Sequence, residues 1–115
     1  MEKINIEFIK RSFHEQSDMA IENYKLNLNA REMSFGDKKL KLTEKEIDSI
    51  VYIFKAAGSV KIQELQSKVW GYQSKLETHT VETHIYRLRK KILKTFNDQN
   101  FIISKKDGYE IQKKK

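Results

Sequence analysis

Residues 78–96 read THTVETHIYRLRKKILKTF, and the spacing within them decides the fold. At about 100° per residue, Val81, Ile85, Leu88, Ile92 and Phe96 fall within one narrow arc of a helix. Thr83, Arg87, Lys90 and Lys94 fall on the opposite arc, with Thr80 and Lys91 at its edge. One side is suited to a core, and the other is a basic, hydroxyl-bearing ridge. The spacing predicts a helix from about Thr78 to Phe96.

The segments on either side have their own signals. Before the helix, Thr43-Glu44-Lys45-Glu46 is a capping box, in which the Thr43 hydroxyl accepts from the Glu46 amide and Glu46 reaches back. Ile47, Ile50, Val51 and Phe54 then follow at i, i+3, i+4 and i+7, an apolar helical stripe. Ala56-Ala57-Gly58 ends it, with Gly58 suited to the C′ position. A second helix fits residues 61–70, with Ile62, Leu65 and Val69 on one side and a poor start at Lys61. Gly71 to Glu77 reads as a polar loop. After the long helix, Phe101-Ile102-Ile103 reads as a strand, Lys105-Lys106-Asp107-Gly108 as a turn, and Tyr109 to Gln112 as the return strand.

Towards the N-terminus, Tyr24, Leu26 and Leu28 alternate with polar residues, which predicts a half-buried strand. Residues 31–35 form a second strand candidate, Gly36-Asp37 a turn, and Lys38 to Leu42 a third strand. Residues 1–22 fit two readings, since Ile4, Ile6 and Phe8 alternate like a strand while Ile6, Ile9 and Phe13 suit a helix. They are read as an extension that could dimerise, residues 23–112 as one domain, and residues 113–115 as a basic tail.

The 115 residues suit one small domain, which at this size buries roughly two-thirds of its unfolded surface. The absence of cysteine removes disulfides, thiolate metal ligands and cysteine nucleophiles. His79 and His84 lie five residues apart, about 140° on a helix, so they share no face and no metal is expected. No nucleophile–base set converges, so neither enzyme activity nor a cofactor is expected. No run approaches the roughly 20 apolar residues of a membrane span, and a cytoplasmic protein is the expectation. Net charge is +7, unevenly spread: residues 1–77 hold 13 Lys/Arg against 12 Asp/Glu, whereas residues 78–115 hold 10 against 4. The surplus points to a polyanionic partner.

Two helices, the second basic and amphipathic, followed by a hairpin tipped with lysines, describe a winged helix-turn-helix. The fold class is α+β, with an N-terminal antiparallel sheet, three helices and a C-terminal β-hairpin wing. A helix fits the major groove of B-DNA and brings its exposed side chains to base edges. A hairpin beside it can lay Lys105 and Lys106 along phosphates or in the minor groove. The chain has 19 lysines and 4 arginines, and two of those arginines are Arg87 and Arg89. Choosing arginine there favours its rigid fork, which matches guanine or phosphate.

Thr43 to Glu46, Val69-Trp70-Gly71, the run Thr80 to Ile92 and Asp107-Gly108-Tyr109 together resemble the DNA-binding effector domain of OmpR/PhoB-type response regulators, over about residues 22–112. The strands from Tyr24 to Leu42 look like the small N-terminal sheet of that branch. The resemblance implies transcriptional control through repeated promoter sites, with tandem dimers on double-stranded DNA. It also implies contact with RNA polymerase through the loop between helices two and three. By motif position it implies base contacts from Thr83 and Arg87, phosphate contacts from Trp70, Thr80, His84 and Arg89, and a wing contact from Lys105. Lys90, Lys91 and Lys94 join the phosphate set from the ridge. Arg89 lies off that ridge, which fits either a phosphate contact at the flank or an intramolecular ion pair. Trp70 fits either a core position or a backbone contact.

The sequence departs from the family pattern at four points. Residues 1–22 cannot supply a receiver domain, so the effector is expected to stand without phosphorylation control. Tyr86 stands where many members have a basic residue. Lys61 replaces a capping Ser or Thr, and Lys106 a wing glycine. The alternative function is a protein-interaction adaptor for RNA polymerase or a sigma factor, using residues 71–77 and 1–22.

Overall fold

The computed structural model describes residues 18–56, 58–71 and 78–111. The chain divides into two compact units, Met1–Leu42 and Thr43–Lys115. Residues 1–17 of the expected 1–22 extension, residues 72–77 of the 71–77 loop and the 113–115 tail lie outside the described residues.

The first unit is an antiparallel meander of β1 (Asp18–Ile21), β2 (Tyr24–Asn27), β3 (Glu32–Phe35) and β4 (Lys38–Lys41), paired in that order. Ile21, Tyr24, Leu26 and Met33 are buried, following the period of two that carries side chains to alternate faces. Three of these strands are those the sequence predicts. The fourth, β1, lies within residues 18–21, so the sheet starts earlier than the expected boundary at residue 23. It pairs Met19 with Leu26 and Ile21 with Tyr24. Gly36 opens the two-residue turn between β3 and β4 at φ +64°, which a side chain would resist.

The second unit starts with α1 (Glu44–Lys55). The capping box is formed: the Glu46 amide donates to Thr43 Oγ1 at 3.2 Å, and the Thr43 amide donates to Glu46 Oε1 at 2.8 Å. Such caps contribute about 1 kcal/mol. Ile47, Ile50 and Val51 are buried as expected, and Ile53 takes the deep place expected of Phe54, which is half-exposed. The expected glycine cap is absent. Ala56 leaves the helix in an extended conformation, and the positive-φ glycines among the described residues are Gly36 and Gly71.

The expected second helix over residues 61–70 is three pieces. Val60–Lys61 is a short strand, β5; Ile62–Leu65 is one α-helical turn, α2; and Gln66–Trp70 is a wider π turn. The Gly71 amide closes that turn on the Gln66 carbonyl, five residues back, at 3.0 Å. Within that turn Val69 is buried and Trp70 is half-buried.

The third helix, α3 (Thr78–Phe96), has the predicted bounds. Asn97, at φ 57°, ends it. Asp98 Oδ1 then accepts from the Asn100 amide. The hairpin is shifted from its expected place, to β6 (Ile103–Lys105) and β7 (Gly108–Glu110) around a Lys106–Asp107 turn. Phe101 and Ile102 are buried ahead of the strand rather than within it. β7 is also flanked by β5, giving a three-stranded sheet in the order β5-β7-β6. Gly108 permits that close approach, because a Cβ there would overlap the Val60 carbonyl oxygen and stand 3.0 Å from Lys61 Cα. No described helix is long and apolar enough to cross a membrane.

Candidate nucleic-acid interface

Packing fixes the roll of α3. Val81, Ile85, Leu88 and Ile92 are each at most 1% exposed. Burying one such side chain is worth about 1.5–3 kcal/mol, so turning the helix over would cost far more than any surface contact returns. The predicted fifth member, Phe96, is half-buried. The ridge must therefore face outward, and Arg87, Lys90 and Lys94 are all exposed. Among the described residues, Arg87 and Lys94 have no ionic partner.

Each flank of the helix is held by a different neighbour. On the α1 side, Lys91 Nζ lies 2.7 Å from Glu46 Oε1, the same oxygen that closes the capping box. Glu46's side chain is only 11% exposed, so its charge is largely withdrawn from water. The Lys91 ammonium, expected among the phosphate ligands, thus ties α3 to α1 while its side chain stays 36% exposed. Farther along that flank, the rings of Trp70 and His84 meet at 5.4 Å between centroids, tilted by 53°. Trp70 is thus half-buried against His84, between the two expected roles. Lys45 Nζ donates to the Val69 carbonyl at 3.0 Å, closing the end of the π turn with a cation. Thr80 is half-exposed on this flank.

The other flank faces the wing. Arg89 is half-buried and lines a shallow crevice with Ile92, Asp98, Phe101 and Ile102. Burial pushes the Tyr109 hydroxyl above its ordinary pKa of 10.0; nearby Glu82 adds to the rise, and Arg89 opposes it. Arg89 therefore sits with the wing, not on the ridge. Its intramolecular neighbours include Tyr109, a phenol rather than only the carboxylate the sequence suggested.

Two ridge contacts sharpen the chemistry on offer. The Thr83 hydroxyl donates to the His79 carbonyl at 3.0 Å, which leaves its oxygen free to accept. Lys90 Nζ lies 5.3 Å from the centre of the Tyr86 ring, and Tyr86 is 58% exposed. In the wing, Lys105 and Lys106 are exposed. Lys105 lies 3.9 Å from Glu110 across the hairpin, whereas Lys106 has no ionic partner among the described residues.

The structure thus brings Thr83, Arg87, Lys90 and Lys94 onto one outward surface, with Lys105 and Lys106 on the hairpin of the same unit. Sequence reasoning missed Tyr86 as a partner of Lys90, although its i, i+4 spacing and aromatic–cation types were visible. Glu46 as the anchor of Lys91 gave no such signal, being 45 residues away.

Comparisons with known proteins agree with this architecture. The family described as "Transcriptional regulatory protein, C terminal" matches residues 37–111. The uncharacterized transcriptional regulatory protein YkoG of Bacillus subtilis is 30% identical over 95 residues, 82% of this chain and 42% of that protein. The chain spans less than half the length of the curated relatives it matches. The DNA-binding domain of Escherichia coli CadC has a similar fold, with a TM-score of 0.71 at 22% identity, covering 83% of this chain and 91% of that one. So does the DNA-binding domain of response regulator AdeR, solved with an intercistronic region: TM-score 0.68, 20% identity, covering 84% and 100%. The chain belongs to this family of transcriptional regulatory C-terminal domains, the OmpR/PhoB-type effectors, which are DNA-binding domains of transcription regulators and not enzymes.

Proposed function

We propose that the chain binds double-stranded DNA sequence-specifically, with α3 in the major groove and the β6–β7 wing on the adjacent minor groove or phosphates. The observation that carries this reading is the ridge itself: a helix whose packing fixes its roll, with Arg87 and Lys94 exposed and without ionic partners among the described residues, and Thr83 beside them. Arg87 reads a base, its fork suited to guanine O6 and N7. Thr83 reads beside it through its methyl and acceptor lone pair, a combination suited to a thymine methyl or an amino group on cytosine or adenine. Trp70, Thr80, His84, Lys90 and Lys94 contact phosphate, as do Lys105 and Lys106 from the wing. Tandem occupation of promoter repeats by two copies follows from the family resemblance. The proposed polymerase-contacting loop is residues 71–77, of which 72–77 lie outside the described residues. A duplex-DNA partner puts the site of action in the cytoplasm.

Fluorescence anisotropy with labelled duplexes across a salt series tests the proposal. Affinity is expected to fall steeply with salt as lysines and arginines release condensed counterions. Arg87→Ala should lose discrimination at one base pair, by about 1–3 kcal/mol, while Lys105→Ala should weaken all sequences about equally. No binding at low ionic strength would overturn the proposal.

A further inference from the structure

Tyr86 is the most exposed large apolar side chain among the described residues of α3, and its position on the helix is informative. At about 100° per residue it lies roughly 40° from Lys90 and 60° from Thr83, between the outward ridge and the wing-side flank of Glu82 and Arg89. An exposed aromatic at that place costs apolar hydration and contributes nothing to the core. Its ring instead carries the Lys90 ammonium, 5.3 Å from the centroid. A lysine ordinarily spends rotamer entropy to settle on a single phosphate. Held over a ring, its ammonium keeps N–H groups free on the side away from the ring while its position is already restricted.

We propose that Tyr86 is a positioning residue for DNA binding: its ring holds Lys90 in place for a phosphate of the strand between the major-groove ridge and the wing. The proposal rests on the reading of α3 as the groove helix and adds to it a means of fixing one cation. The Coulomb attraction belongs to Lys90, and Tyr86 acts only through it. The ring, not the phenolic hydroxyl, does the positioning.

The test is a double-mutant cycle of Tyr86→Ala and Lys90→Ala, with Tyr86→Phe as the conservative variant. Binding to a mixed-sequence DNA duplex is read from about 50 to 200 mM salt. Far-ultraviolet circular dichroism of each variant checks that α3 is intact. Lys90→Ala should lower the salt slope by about 0.9, the value for one phosphate. Tyr86→Ala should weaken binding by about two- to five-fold, the scale of an exposed cation–π contact. That loss should vanish in the Lys90→Ala background, and Tyr86→Phe should keep wild-type affinity. Additive losses, or a Tyr86→Phe loss equal to that of Tyr86→Ala, overturn the inference while leaving α3 as the groove helix. Failure of the wild-type chain to bind the duplex at about 50 mM salt removes that reading, and this inference with it.

Discussion

Replacing Lys91 by alanine separates two roles that a lysine on this helix could have. If its ammonium bound phosphate, the variant would lose about 0.9 from the slope of log affinity against log salt. The affinity deficit relative to wild type would then shrink about three- to four-fold between 50 and 200 mM salt. Folding stability would hardly change. The structure predicts the opposite. Lys91 Nζ sits 2.7 Å from Glu46 Oε1, with the two side chains 36% and 11% exposed. Hydrogen bonds to charged groups contribute about 1.5–3 kcal/mol, and fully exposed ion pairs about 0.2–1. This pair, wet on one side and dry on the other, falls between them at about 1–2 kcal/mol. For a domain of this size that lowers the melting temperature by about 4–8 °C. The remaining amide from Thr43 cannot compensate, because it already donates to the same oxygen at 2.8 Å. Thermal melts and a salt titration on the same preparation decide the matter. An unchanged melting temperature with a slope reduced by about one would refute the assignment of Lys91 to the α1–α3 junction. A cycle with Glu46→Gln should show coupling of about 1 kcal/mol between the two positions.

Two further outcomes follow from the wing. Gly108→Ala should destabilise the fold by about 2–4 kcal/mol, since a Cβ overlapping the Val60 carbonyl must push β5 from β7 and break ladder bonds; urea unfolding with an unchanged midpoint would contradict this. The raised pKa of Tyr109 means that the folded protein holds the phenolic proton more tightly than the unfolded chain does. Its stabilising contribution is therefore complete below about pH 10 and fades as pH rises through the folded value. Tyr109→Phe should consequently show a shallower loss of melting temperature than wild type above about pH 10, and parallel profiles would count against the burial argument.

What could be read from the sequence follows the range of the forces involved. The bounds of α3 and the start of α1 are set by local terms, namely apolar residues at helical spacing and a capping box four residues long. Both stand as expected. The π turn at Gln66–Trp70 was illegible because Ile62, Leu65 and Val69 keep a spacing that an α-helix also satisfies. The two-residue strand β5 carries no periodicity at all, and it exists because Gly108 lets it approach β7. The hairpin strands sit two residues later at their first edge because Phe101 and Ile102 are both buried, which alternation does not allow. In the site, the ridge residues were legible as one face of one helix. The fates of Lys91 and Arg89 were not, since both depend on partners brought near only by the fold.

The pinning of α3 along both sides has an evolutionary corollary. A rod clasped at Lys91 and His84 on its left and beside Tyr109 on its right cannot roll to offer a fresh set of side chains. If the outer crest reads bases as proposed, new DNA preferences arise by swapping letters there, above all at positions 83 and 87, while the clasps stay as they are. Paralogues built on the same frame would diverge in what they recognise without relearning how to fold.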